Sequence, residues 1–236
     1  MVLPLHDDNP TTIRPYVTIG LMLANVLVYV WHHLLLNAQS TQAVVYAFGV
    51  IPAVLTGHEA LPAELALLPP LATIFTSMFL HGGLLHLAGN MLYLWIFGNN
   101  VEDAMGHVRF LAFYLLCGVA AVYAQALPNP ESVVPMIGAS GAISGVLGAY
   151  LLLYPRARVL LGVPLGFLII QIGRFPAGWV LIAWFAMQLL MGGMNAPAAG
   201  GEKTAIAFGA HVGGFIAGVL LVTIFKRRNV PLWRAY

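Results

Sequence analysis

The chain has 236 residues, of which 60% are apolar and only 8% are Asp, Glu, Lys or Arg, against about 25% charged residues in an average soluble domain. This composition excludes an ordinary soluble domain and a disordered chain, and it indicates a polytopic membrane protein in a lipid bilayer. The net charge of +2 comes without a basic run interleaved with aromatic residues, so we expect no nucleic-acid partner, and a single cysteine excludes an internal disulfide.

Six apolar stretches come close to the roughly 20 residues that a helix needs to cross a bilayer. They cover residues 16–36, 84–101, 108–127, 140–154, 177–191 and 205–225. We therefore predict an all-α polytopic membrane protein with a bundle of six transmembrane helices. The bundle occupies residues 16–226, after an N-terminal segment (1–15) and before a basic tail (227–236).

Three segments outside the predicted spans also have a recognisable character. Residues 159–170 are apolar but number only about a dozen and contain Pro164, which favours an interfacial or re-entrant piece. Residues 37–70 are long and largely apolar, which predicts an ordered loop lying in the membrane interface. Residues 1–10 lack a basic region followed by an apolar one, so we expect neither a signal peptide nor a transit peptide there.

The basic residues predict the orientation of the spans. With six crossings, nine of the ten fall on one side and Lys203 alone falls on the other. Because Lys and Arg are enriched in cytoplasmic loops, we expect a cell-membrane protein with both termini in the cytoplasm. The nine are Arg14, Arg109, Arg156, Arg158, Arg174, Lys226, Arg227, Arg228 and Arg234.

A few polar side chains fall inside the predicted spans, where they are costly and indicate function by default. Counted at 1.5 Å per residue from the inner ends of their spans, Ser140 and His211 lie ~9 Å below the outer surface. His86 and Asn90 lie ~7 and ~13 Å below it. Taken singly, each could be an ordinary packing or interhelical residue. Their common depth in three spans favours one polar site.

Span four adds a second indication of a site. From Ser140 to Tyr154 it measures about 22 Å, too short for a ~30 Å core, so the helix begins below the outer surface. The irregular backbone before it is tolerated in a membrane only beside protein or a water-filled cavity. We therefore expect a wet pocket at Ser140.

Small residues predict which spans touch. Ser140, Ser144 and Gly148 recur every four positions on span four, and Gly214 and Gly218 share a face with His211 on span six. Close approach of these helices would bring the Ser140 hydroxyl to the His211 ring. A serine beside an imidazole can perform nucleophilic acyl transfer.

The developing oxyanion would be bound by three kinds of donor. These are the Ser140 backbone N–H, which is free in the first helical turn, and the side chains of His86 and Asn90. Since no acidic residue lies at this depth, we predict a Ser-His dyad.

Other membrane chemistries lack their residues. His58-Glu59 does not continue into the H-E-x-x-H of a zinc protease, and every Asp is terminal or at a span edge. His81 and His86 lie five residues apart, so on one helix they would face different directions, which argues against a metal pair. We expect no metal and no cofactor.

Three motifs resemble those of the rhomboid serine proteases. They are His81-Gly-Gly-Leu-Leu-His86-Leu-Ala-Gly-Asn90, Gly138-Ala139-Ser140-Gly141 and Ala210-His211-Val212-Gly213-Gly214. The resemblance, over residues 71–225, implies a six-span rhomboid-like bundle that cleaves single-span transmembrane proteins near the outer surface. It implies that Ser140 is the nucleophile, His211 the base, and His86 and Asn90 the oxyanion donors. His81, Gly138 and Ser144 would support the pocket.

The resemblance also implies moving parts, and it has two departures. Residues 192–202 would form a lid, and span five a lateral gate. Ser144 stands where several relatives carry an aromatic residue, and no Arg lies between Arg14 and Arg109, where many carry a Trp-Arg pair. Two alternatives remain: a catalytically silent rhomboid-like protein that binds client helices, and a small transporter or channel, for which no inverted repeat is visible.

Overall fold

The structure is a computed structural model that describes residues 2–166, 168–194 and 207–234. The membrane part is built from ten helices among these residues, with a three-stranded sheet at one end. The helices are α1 Tyr16–Tyr29, α2 Ala38–Phe48, α3 Pro52–Leu55, α4 Pro70–Thr76, α5 Leu84–Tyr93, α6 Asn99–Met105, α7 His107–Ala126, α8 Ser140–Leu153, α9 Ala177–Met194 and α10 Phe208–Phe225.

Three short turns of another helical type extend or connect these helices. A π-helical turn, Val30–Leu34, prolongs α1, and another, Leu94–Gly98, joins α5 to α6. A short 3₁₀ turn, Ser77–Phe79, follows α4. The chain then bends by 84° between Pro70–Phe79 and Leu84–Met105, because the extended backbone at Leu80 and at Gly83 interrupts the helix.

Helix α8 forms the centre of the bundle. Every residue from Gly141 to Tyr150 is buried, and the helix packs between α7 and α10. Its glycines permit this contact, because a Cβ at Gly145 would lie 2.4 Å from the side chain of Cys117 on α7, and one at Gly148 would lie 2.3 Å from the Phe215 carbonyl on α10. The small-residue faces read from the sequence are therefore helix–helix contacts.

The protein is a multi-pass membrane protein by helix length and composition. Among the residues that the structure describes, three helices are long and apolar enough to cross a bilayer: Tyr16–Leu34, His107–Ala126 and Phe208–Phe225. A fourth crossing results if the bent pair of helices counts as one span. Ser140–Leu153 and Ala177–Met191 are apolar but shorter.

The described chain is mostly helical, as predicted, but it is not all-α, because it contains a three-stranded sheet. Strand β1 (Leu3–Asp7) pairs with β2 (Arg158–Leu165), and β2 pairs with β3 (Leu168–Pro176), all antiparallel. The segment 159–170, expected to be an interfacial or re-entrant piece, is most of this hairpin. Its apolar residues run without strict alternation, so periodicity did not distinguish a strand from a short buried helix.

The N-terminal strand is anchored to the helices through Asp7. The buried Asp7 carboxylate accepts hydrogen bonds from the Tyr150 hydroxyl at 2.6 Å and from the Asn100 amide at 2.9 Å. Burial raises the pKa of Asp7 from 3.8 to about 6, against the opposing effect of the Tyr150 hydrogen bond. Strand β1 therefore docks best with this carboxyl protonated.

A second buried carboxylate ties α1 to α6 at the same end. Glu102, fully buried, accepts from the backbone N–H groups of Val17 and Thr18, the Thr18 hydroxyl and the His107 ring at 2.6–2.9 Å. Val17 and Thr18 begin α1, whose first N–H groups have no acceptor within the helix, so Glu102 supplies the N-terminal cap.

The long segment 37–70 is ordered, as the sequence indicates. It contains α2 and α3, and Val50 exchanges backbone hydrogen bonds with Met136, just before α8. The side chain of Asn37 caps α2 by accepting from the Ser40 N–H. This loop therefore braces the irregular backbone that leads into α8.

Candidate active site

Ser140 and His211 face each other across the contact between α8 and α10. The Ser140 Oγ lies 2.8 Å from the His211 Nε2, within hydrogen-bonding distance. The helices are held this close by glycines, since a Cβ at Gly214 would lie 2.0 Å from the Gly141 carbonyl oxygen and one at Gly218 1.9 Å from that of Gly145. Direct backbone contact therefore sets the Ser–His distance.

The other ring nitrogen of His211 also has a partner, which the sequence argument missed. The Gln188 Oε1 on α9 lies 2.8 Å from the His211 Nδ1, and Gln188 is 7% exposed. Trp184, one turn earlier on α9, has its ring centroid 6.0 Å from that of His211. Gln188 was detectable, because it is the one amide or ionisable residue in predicted span five.

His86, Asn90 and Gly138 lie together beside the serine. A Cβ at Gly138 would lie 2.8 Å from the His86 Nε2 and 3.8 Å from the Asn90 Nδ2. Gly138 also has a φ of +124°, which L side chains rarely adopt, and its N–H donates to the Ser77 carbonyl. A glycine is therefore required both by the backbone conformation and by the close approach of the imidazole.

His81 lies behind this group and is fully buried. Its Nε2 is 2.9 Å from the Asn90 Nδ2, and its backbone carbonyl is 2.8 Å from the His33 Nε2. The expectation that His81 and His86 face different directions is wrong, since their ring centroids are 5.0 Å apart. The reason is that His81 precedes the glycine break and is not on the helix that carries His86.

Ser144 does not reach His211 as a hydrogen-bond partner. Its hydroxyl donates to the carbonyl of Ser140 on its own helix at 2.7 Å, and the residue is buried. The sequence assigned no partner to the far side of the imidazole, and the structure shows Gln188 and Trp184 of α9 in contact with the ring.

A cavity of about 1330 Å³ opens onto these groups. Its described lining contains Ser140, His211, His86, Asn90 and Gln188, with apolar side chains around them, and no Asp, Glu, Lys or Arg. Among the described residues, no group of three or more His, Cys, Asp or Glu could hold a metal ion. Most of the lid expected at residues 192–202 lies outside the described residues.

The family model of the Rhomboid domain matches residues 70–228, which include every residue of this site. The chain belongs to the rhomboid family. A rhomboid relative from Bacillus subtilis, "Rhomboid protease GluP", is 35% identical over 162 residues, which are 64% of this chain and 30% of that protein.

Mitochondrial rhomboid proteins are also similar. "Rhomboid protein 1, mitochondrial" of Saccharomyces cerevisiae is 32% identical over 63% of this chain and 40% of that protein. The human "Presenilin-associated rhomboid-like protein, mitochondrial" is 32% identical over 73% of this chain and 44% of that protein. The chain spans less than half the length of these relatives.

Proposed function

We propose that this rhomboid protein is an intramembrane serine endopeptidase that uses Ser140 as nucleophile and His211 as general base. The observation that carries the proposal is the 2.8 Å contact between the Ser140 Oγ and the His211 Nε2, on the wall of a large cavity. Its support from relatives is the name of the Bacillus subtilis protein, which is called a protease.

In this reaction the Ser140 Oγ attacks the carbonyl carbon of the scissile peptide bond while its proton passes to the His211 Nε2. The carbonyl π-electrons move to the oxygen. We assign its stabilisation to the Ser140 N–H and to the side chains of His86 and Asn90, which flank Gly138. The amine then leaves with the proton from Nε2. Water attacks the acyl-enzyme in the same way and passes a proton to Nε2, and the Ser140 Oγ leaves with that proton.

The substrates we propose are single-span transmembrane proteins, cut in or near the membrane. The cavity offers an uncharged described lining, so it suits an uncharged stretch of polypeptide. Unwinding of the substrate helix would expose its peptide carbonyl to Ser140. Helix α9, which carries Trp184 and Gln188 beside the site, is the lateral gate in this proposal.

We propose six crossings, with the shorter helices α8 and α9 spanning as well. A 14-residue α8 is about 21 Å long, so it would begin below one membrane surface, with Ser140 at its start. The β-sheet and Arg227, which bonds to Asp103, lie at the opposite end from Ser140. We propose that this basic end faces the cytoplasm of a cell and that both termini lie there.

The decisive experiment compares wild type, Ser140→Ala and Ser77→Ala in liposomes with a panel of transmembrane substrates. Ser77 is a buried serine that does not line the cavity, so Ser77→Ala controls for removing a buried hydroxyl. We expect cleavage by wild type and by Ser77→Ala only. Cleavage by Ser140→Ala at the wild-type rate would disprove the mechanism.

The silent-binder alternative gives a different result in the same experiment. A protein that binds client helices without cutting them would leave the whole panel intact. A fluorophosphonate probe would then also leave Ser140 unlabelled, because labelling needs the serine to be activated by His211.

A further inference from the structure

We propose that Gln188 is a positioning residue, which fixes the tautomer and the ring orientation of His211. This inference rests on the proposed function. The Gln188 Oε1 and the Ser140 Oγ each lie 2.8 Å from a different nitrogen of the same imidazole. The three side chains therefore form a continuous chain from α9 through α10 to α8.

The chemistry of the ring explains why such a partner is needed. To accept the serine proton, Nε2 must be unprotonated, and a neutral imidazole then carries its single proton on Nδ1. An amide oxygen can only accept a hydrogen bond, so Gln188 stabilises this tautomer and not the other. An acidic residue would do the same, but burying its charge costs much more than burying an amide.

Packing on α9 adds to the hydrogen bond. Trp184 and Gln188 lie one turn apart, so they share a face of α9 that meets His211. The ring of Phe208 approaches His211 edge-on, with centroids 6.5 Å apart. The imidazole is thus held by contacts around it as well as by its two nitrogens.

The test compares Gln188→Met with Gln42→Met. Methionine keeps the length of glutamine and removes the acceptor. Gln42 on α2 controls for the same substitution outside the site, because it does not line the cavity. We expect Gln188→Met to lower kcat about 3- to 10-fold with KM unchanged, as for the loss of one hydrogen bond, and Gln42→Met to keep the wild-type kcat.

A spectroscopic readout separates this inference from the proposed function. In protein labelled with ¹⁵N-histidine, the His211 signals should report an Nδ1-protonated ring in wild type and a tautomer mixture in Gln188→Met, whether or not a substrate is cleaved. Identical tautomer signals in both proteins would refute the positioning role. If the signals differ but wild type cleaves nothing, the proposed protease function fails and the positioning role stands.

A second feature, at the opposite end of the bundle, independently indicates a ligand. We infer that a basic pocket of about 650 Å³ there binds the phosphate headgroup of an anionic phospholipid. Its lining, as far as the structure describes the chain, contains four cations and no acidic residue. The lining residues are Arg109, Thr223, Ile224, Phe225, Lys226, Arg227 and Arg228.

The charges of this pocket are poorly compensated within the protein. Arg227 bonds to the carbonyl and carboxylate of Asp103, and Lys226 donates to the Val230 carbonyl at 2.7 Å. Within the part of the chain that the structure describes, the side chains of Arg109 and Arg228 have no hydrogen bond or ion pair. Four cations thus face one carboxylate, which leaves a net charge of about +3 for an anion.

The position of the pocket and the exposed apolar side chains beside it favour a lipid as the source of that anion. Arg109 lies in the first turn of α7, and Lys226 follows the last residue of α10, so the pocket lies where two apolar helices leave the membrane. Leu220 and Ile224, one turn apart on α10, are 65% and 73% exposed. These side chains continue from the pocket along the helix and suit the acyl chains of the same lipid.

The test is a native mass spectrometry titration of the micellar protein with phosphatidylglycerol. Arg109→Gln/Arg228→Gln is compared with Arg14→Gln/Arg156→Gln, which removes two exposed arginines outside the pocket. Each basic residue near the headgroup contributes about 5-fold in affinity, so we expect Kd to rise about 30-fold in the first variant and less than about 3-fold in the second.

Three results would overturn the lipid site. One is equal weakening in both double variants, which would mean general surface charge. Another is binding of phosphatidylcholine as tight as that of phosphatidylglycerol. The third is displacement of phosphatidylglycerol by equimolar inorganic phosphate, which would mean that the pocket takes free phosphate.

Discussion

Gly214→Ala tests whether the backbone contact between α8 and α10 sets the geometry of the Ser–His pair. The added methyl group would lie 2.0 Å from the Gly141 carbonyl oxygen, where ordinary contacts begin at 3.4 Å, so the helices must separate by about 1.4 Å. Ser140 and His211 lie one turn away, so the same separation of the helices lengthens their 2.8 Å contact to about 4 Å, beyond hydrogen-bonding range.

We expect turnover to fall about 10²-fold in this variant, as for a 1 Å misplacement of a catalytic group. The overpacking should also destabilise the protein by about 1–3 kcal/mol, so rates of Ser140 labelling by a fluorophosphonate are measured on protein shown to be folded by its melting curve. Gly20→Ala is the control, because a Cβ at Gly20 meets nothing within 4 Å. Wild-type labelling in folded Gly214→Ala would refute this account of the site.

Three further predictions concern single polar side chains. Asn90→Ala should slow turnover about 10²-fold without unfolding, while Asn25→Ala, at a buried asparagine of α1, should not; equal rates in both would remove Asn90 from the oxyanion role. The raised pKa means that Asp7 stabilises the fold most below about pH 4 and less as the pH rises through 6. The free energy of unfolding of Asp7→Asn, measured in thermal melts, should therefore exceed that of wild type at pH 8, by up to about 3 kcal/mol, and equal it at pH 4. Glu102→Gln should lower the free energy of unfolding by about 2–3 kcal/mol in urea titrations and leave the specific activity of folded protein unchanged.

The helical part of the fold was largely predictable from the sequence. Predicted stretches 108–127 and 140–154 correspond within a residue to α7 and α8, because long apolar runs and glycine faces are strong signals. The small sheet was not predictable in the same way. Strand β1 pairs with β2 across more than 150 residues, and such long-range pairing leaves no periodic mark on a five-residue strand.

The residues of the site also differ in whether the sequence indicates their contacts. Ser140 and His211 were recognisable because each stands out on an apolar helix and because small residues predict that their helices touch. Gln188 stands out equally, yet its contact with His211 depends on how α9 is rotated. Span five has no small-residue face to indicate that rotation, so only the folded structure assigns the partner.

The two sets of contacts constrain different properties of the imidazole. Backbone contact at Gly214 and Gly218 sets the distance between α8 and α10, so it determines how close the Nε2 can come to the Ser140 Oγ. Gln188 and Trp184 act on the ring itself and determine which nitrogen carries the proton and how the ring is turned. A glycine substitution should therefore lengthen the contact in either tautomer, whereas a change at Gln188 should alter the tautomer at an unchanged distance. Once the Nε2 is out of reach of the serine, the tautomer of the ring no longer matters, so the two effects on turnover are not independent. The double variant Gly214→Ala/Gln188→Met should therefore lose less turnover than the product of the two single losses.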